Sequence, residues 1–224
     1  MIAAASLATV FRATSASVAQ KPKLDSYPRQ PLNLADRVKL GSDFYQFRDR
    51  LRQAVRRRNA KFIRSIATPD IRLSFGNPIT LNDLDIDNPQ APIWLGMEKA
   101  FSTGCAEVDQ TKTWVCPHIS AILPENLDPF EHFAIVGVNV NARSQPSINS
   151  EVIGVLSNEA VKFDRKAPPG SYNSGNPNSW VPIVLPSGRR GYVLNRYVYS
   201  SFGYRGYFVK KKGEWKMNAF VAGD

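Results

Sequence analysis

From Val138 to Leu194 the chain is cut by turn-forming residues at short intervals, and the pieces between them carry strand patterns. Val138, Val140 and Ala142 alternate with Asn139, Asn141 and Arg143, the period of a half-buried strand. Ser144-Gln-Pro146-Ser follows, where proline fixes φ and removes a ladder donor. Val152-Ile-Gly-Val-Leu156 is a second short strand, and Lys162-Phe163 ends a third after a turn at Ser157-Asn158. Ala167 to Ser179 is almost entirely Pro, Gly, Asn and Ser, a loop composition. Strand character resumes from Trp180 to Leu185, Pro186-Ser-Gly188 turns the chain, and Gly191-Tyr-Val-Leu194 starts another strand. Short strands at this spacing fit a small all-β barrel.

The run Asn139-Val-Asn-Ala-Arg143-Ser-Gln-Pro146-Ser, then Val152-Ile-Gly154-Val-Leu156, resembles the opening of a bacterial Src-homology-3-type (SH3b) domain. Trp180-Val-Pro-Ile-Val and Gly188-Arg-Arg-Gly191-Tyr-Val193-Leu-Asn-Arg-Tyr197-Val198 resemble its close. The resemblance covers residues 132–200 and implies a module that binds and does not catalyse. Two departures stand out. Gln145 occupies the family's glycine position, and the loop before Trp180 is longer than usual, so it can cover or reshape a ligand groove.

The flanking segments carry a different pattern. Asp43 and Gln46 have capping-box spacing before Phe44, Phe47, Leu51, Ala54 and Val55, which recur at helical spacing. The opposite face holds Arg48, Arg52 and Arg56. Asn59 caps a second helix that Pro69 ends, Ile71 to Phe75 alternates as a strand, and residues 92–103 form another helix. The segments beside the two cysteines read as paired strands. Gly206 to Val221 is a hairpin pattern around Lys212-Gly213. This hairpin and the Leu51–Ile71 stretch resemble the close and opening of nuclear-transport-factor-2-like α+β domains. The expected fold class is therefore α+β. An N-terminal helix-plus-sheet domain of residues 42–130 is completed by residues 201–224, and an all-β SH3-like barrel lies between at 132–200. Tyr207, Val209, Trp215, Met217 and Phe220 would otherwise lack a partner surface; the alternative is a hairpin packed on the barrel itself.

The first 19 residues read as a possible signal peptide, with Ser17-Val-Ala19 as a small-residue cleavage site; the alternative is an Ala/Ser-rich tail. Residues 20–41 read as a linker. No run of roughly 20 apolar residues predicts a transmembrane helix. Cys105 and Cys116, an even and close pair, fit one disulfide across a hairpin in an oxidising compartment; the alternative is two buried thiols. The two histidines lack ligand spacing to them, so no metal site is expected.

A net charge of +10 is concentrated in Arg48–Arg64. Arg48, Arg52 and Arg56 are the candidate anion-binding residues; the alternative is a solvated helix face. Catalytic patterns are weak. Cys116 or Cys105 with His118 would make a dyad of unsuitable spacing, while Tyr45, Asp70 and Asp83 are pocket candidates by residue type alone. Asp83, Asp85 and Asp87 alternate as calcium ligands do but lack the loop glycine and closing glutamate. In the barrel sequence the tentative ligand-binding residues are Arg143, Tyr172, Trp180, Arg189, Tyr192 and Tyr197, since amphipathic rings give contact area with a polar tip. The alternative is that Trp180, Tyr192 and Tyr197 fill the barrel core and rim, and for Trp180 and Tyr192 this is the favoured reading, with Tyr172 the better groove candidate. Taken together, the expectation is an exported, non-enzymatic binding protein of the bacterial envelope, periplasmic or extracellular. It would need no cofactor and would recognise peptide, peptidoglycan or a protein partner, with no nucleic acid. The competing readings are an enzyme or small-ligand binder using an α+β pocket, and an electrostatic adaptor for anionic surfaces.

Overall fold

A computed structural model describes residues 26–108, 111–173 and 175–223, arranged as helices and two sheets in an α+β fold. The signal-peptide segment lies outside the described residues. Among them, no helix is long and apolar enough to cross a membrane.

Helix α1 (Asp43–Arg56) begins one residue earlier than the capping-box spacing suggests: Ser42, not Asp43, accepts the Tyr45 N–H at 3.2 Å. Asp43 then occupies the first turn and Arg56 the last, each complementing the helix dipole. Asn59 caps α2 (Ala60–Ile66) by accepting from the Phe62 N–H at 3.0 Å. The chain turns directly into β2 (Ala67–Arg72), so a strand begins before Pro69. Proline is tolerated there because β2 lies at a sheet edge, paired only with one neighbour. Helix α3 (Ile93–Ser102) follows, then the hairpin β3 (Ala106–Val108) and β4 (Thr113–Cys116). Cys105 and Cys116 form a disulfide across the end of this hairpin, with Cα atoms 4.5 Å apart. A short helix, α4 (Ile119–Ile122), leaves the hairpin.

The chain ends in its longest strands, β12 (Arg205–Lys211) and β13 (Glu214–Val221), joined at Lys212 and Gly213. Both turn residues have positive φ, 50° and 83°, which matches the twist of a two-residue hairpin and needs little cost at Gly213. The first sheet runs β2-β13-β12-β4-β3, so the C-terminal hairpin sits between strands from the front half. β13 pairs in parallel with β2, and β12 antiparallel with β4. A bulge between Tyr207 and Phe208 shifts the register. Phe208 faces the core by the unbroken alternation of β12, while Tyr207 and Val209 are only half-buried; the extra residue, Asn218, lies on β13, so Met217 and Phe220 both point inward although three residues apart. Phe44, Phe47, Leu51, Trp94, Met97 and Phe101 from α1 and α3 close over these residues. Phe208 meets the Phe44, Phe47 and Phe101 rings at 5.5–5.9 Å between centroids. Each fully buried side chain of this kind contributes roughly 1.5–3 kcal/mol.

The second sheet contains β5 (His132–Ile135), β6 (Val140–Arg143), β7 (Val152–Leu156), β8 (Glu159–Phe163), β9 (Trp180–Val184), β10 (Arg190–Leu194) and β11 (Val198–Tyr199). A 3-10 turn, Asn195–Tyr197, separates the last two. Its strand order is β11-β5-β8-β9-β10-β6-β7, an open path of pairing that does not close into a barrel among the described residues. Val140, Leu156, Val161, Val181, Ile183 and Val193 form its core. The period of two that turns Val181 and Val193 inward turns Trp180 and Tyr192 out, so these aromatics are half-buried and do not fill the core.

Residues 26–41, linker-like in composition, are tied to both sheets. Gln30–Pro31 forms β1 on β8, and Arg29 pairs with the buried Glu159 at 2.6 Å. Leu32 joins Ile119, Leu127, Ala134, Ala160 and Tyr199 in a small third cluster.

Candidate functional site

Two of the concave places on the second sheet and its border combine polar and aromatic side chains in a defined arrangement. The first is a surface groove of about 190 Å³ in which Arg143, Trp180 and Tyr197 come together with Val138, Ile148 and Leu194. Val138 is 69% exposed, Ile148 60% and Tyr197 38%, so apolar area faces water here. The turn before β6 presents Val138, with Asn139 at φ 57°. Ile148 comes from the turn between β6 and β7, Trp180 opens β9, and Tyr197 sits in the 3-10 turn. Arg143 Nη1 donates to the Ser150 carbonyl at 2.6 Å, which anchors the guanidinium while the rest of its donor fork remains at the groove.

The other three tentative residues lie apart. Tyr192 is the cross-strand partner of Arg143 but does not line the groove. Arg189 donates to the Ile153 carbonyl at 3.3 Å and lies 3.9 Å from the Glu151 carboxylate. Tyr172 packs edge-on against Phe163, ring centroids 5.7 Å apart, and lines the second place.

That second place is a cavity of about 480 Å³ between α3 and the border of the second sheet. Leu95, Phe133, Tyr172, Tyr199, Phe202 and Tyr204 line it around Lys99. Lys99 Nζ donates to the main-chain and side-chain oxygens of Asn195, both at 2.8 Å, and stands 5.0 Å from the Tyr199 ring centroid. Burial holds its amine down at about 8. Of these residues only Tyr172 and Tyr199 stand out in the sequence, among the aromatics of residues 172–199. The available signal was Gly96, a glycine inside an apolar helix. A Cβ there would stand 2.7 Å from the Tyr204 ring, so the glycine marks the close approach that borders this cavity.

Arg48, Arg52 and Arg56 do not share one exposed face. Arg48 is 2% exposed and pairs with Asp36 at 2.5 Å. Burial pushes the Asp36 carboxyl up, but the Arg48 guanidinium and the N–H groups of Cys105 and Val38 together hold it below the ordinary carboxylate range. Arg52 donates to the carbonyls of Phe101 and Thr103 at 2.6 and 2.7 Å, locking α1 to the end of α3. Arg58 pairs with Glu98 and Arg64 with Asp87, while Arg50, Arg56, Arg57 and Lys61 are exposed. The helical period that made these arginines look like one polar stripe failed because Asp36 covers Arg48 and the end of α3 takes up Arg52.

The enzyme candidates also separate. The cysteines are joined, so neither offers a thiolate to the buried His118. Asp70 is exposed near Lys211, and Asp83 accepts from both the N–H and the hydroxyl of Thr80. Asp85 accepts from Asn88 and Asp87 pairs with Arg64, so the three alternating aspartates diverge. Tyr45 lies under the Arg48 guanidinium, 5.5 Å away, and the space between α1, α3 and the first sheet is filled by side chains.

No family model matches the chain, no curated protein matches it, and no solved structure matches it.

Proposed function

We propose that this chain is an exported, non-enzymatic binding protein of the bacterial envelope, and that its groove recognises an acidic peptide. In this reading residues 132–200 are an SH3b-like unit, and residues 42–130 with 201–224 are an α+β scaffold around it. The convergence of Arg143 with exposed Val138, Ile148 and Tyr197 in one groove carries the proposal. Aromatic and aliphatic surfaces supply contact area, and an anchored arginine with free donors selects a carboxylate. The stem peptide of peptidoglycan offers that chemistry. The disulfide supports an oxidising compartment and therefore export. Co-sedimentation with purified sacculi tests the reading. Retention should fall by about ten-fold in Arg143→Ala and in Tyr197→Ala, the size expected for one charge-assisted bond or one stacked ring. Equal retention of both variants and the unaltered chain removes the groove from consideration.

A further inference from the structure

The cavity between α3 and β11 has a volume common for small-molecule sites. Its walls are largely aromatic and aliphatic, and among the described residues Lys99 is the one charged residue that lines it. The Lys99 amine bonds only to neutral oxygens of Asn195, and among the described residues no carboxylate lies within 4.0 Å of it. A desolvated cation with no counter-charge is costly, and an anion placed beside it offsets that cost. The surrounding rings would leave a bare inorganic ion without apolar contacts to replace its water, whereas an anion with an apolar body matches both parts of the site. From this combination we infer that the cavity takes a small amphiphilic monocarboxylate, with its apolar body among Leu95, Phe133, Phe202 and Tyr204 and its carboxylate on Lys99 Nζ.

Tyr172 and Tyr199 also line the cavity, and burial pushes both phenols up, so they stay neutral beside the ligand at pH 7. Ser102 Oγ lies 3.1 Å from the Tyr199 hydroxyl and holds that ring against the amine. The site is distinct from the Arg143 groove, so it stands or falls independently of peptide binding.

Calorimetry of the full chain with sodium decanoate and with decanol, both as monomers at pH 7, tests the assignment. Decanoate should bind about ten-fold or more tightly than decanol, the ratio expected for a charge-assisted bond. Lys99→Met should bring the two affinities together, and Leu95→Trp should weaken both by filling the cavity. Because a variant can disturb the fold, the Lys99 amine is also followed by NMR in the unaltered protein. Decanoate should move its titration to higher pH, since a neighbouring anion favours the charged form. The assignment is overturned by failure of decanoate to bind, by equal binding of decanoate and decanol, or by a Lys99 titration that decanoate does not move. Unchanged decanoate affinity in Lys99→Met or in Leu95→Trp also overturns it.

Discussion

The partly buried Lys99 should leave a measurable mark on stability as a function of pH. Its amine titrates at 10.5 in an ordinary setting and at about 8 in the fold, because burial disfavours the charged form. Between those values the unfolded chain holds a proton that the folded chain has released. Stability is therefore lowest, as far as this group is concerned, below pH 8, and it rises as pH increases towards 10.5. The full interval corresponds to about 3 kcal/mol at roughly 1.36 kcal/mol per pKa unit. Allowing for the part of the stem that water reaches, about 2 kcal/mol should accumulate between pH 7 and pH 10. The assay is urea unfolding of the unaltered chain and of Lys99→Met at both pH values, read as the difference between the two proteins. Taking the difference removes Tyr27 and Tyr172, whose raised phenols titrate in both proteins. The unaltered chain should gain on Lys99→Met by that amount on going to pH 10. A gap constant to within about 0.5 kcal/mol would show that the amine is not desolvated, and the charge argument for the cavity would go with it.

Other consequences can be measured by the same unfolding experiments. Replacing Cys105 and Cys116 by serine opens a link between residues 11 apart, and unfolding should cost about 3 kcal/mol less by chain entropy. Gly206→Ala places a Cβ 2.7 Å from one atom of the Phe101 ring and 2.9 Å from another; because that ring is held in the core, the variant should lose about 1–3 kcal/mol. Burial lowers the His118 pKa, so the unfolded chain takes up the proton first and stability contributed by the neutral ring is lost as pH falls below about 6.5. His118→Gln should consequently show a shallower fall in urea midpoint between pH 7.5 and 5 than the unaltered chain.

Local patterns in the sequence translate well where one element carries its own signal. Asn59 caps α2, the alternation from Val140 to Arg143 becomes β6 while Val138 falls in the exposed turn before it, and Lys212-Gly213 turns the final hairpin. What the local signal lacks is the identity of the neighbour. Arg48 belongs to a polar stripe by period, yet Asp36, twelve residues earlier, covers it and makes it interior. The bulge at Asn218 brings Met217 and Phe220 to one face, and nothing in the alternation of that strand announces the extra residue. At the groove, Arg143, Trp180 and Tyr197 were legible as residue types that bind, but Ile148 and Val138 were not, because their role depends on two turns meeting in space. The Lys99 cavity was least legible of all, since its walls come from a helix, a loop and a strand separated by about a hundred positions.

That separation also explains why a cavity exists at this place. The core under α1 and α3 and the core of the second sheet are distinct clusters with no residue in common. What joins them is smaller: the Leu32–Ile119–Tyr199 cluster, together with the bonds from Lys99 to Asn195 and between Ser102 and Tyr199. Close packing within each core fixes the curvature of its own surface, and two such surfaces meeting along a short seam do not fill the space between them. Gly96 lets Tyr204 approach α3 on one side of the seam, while Leu95 and Lys99, respectively one residue before and three after it, face the unfilled part. A lysine in that position is a poor choice for packing alone, because methionine would fill the same length without a desolvated charge. Its presence is accounted for when something negatively charged completes the seam.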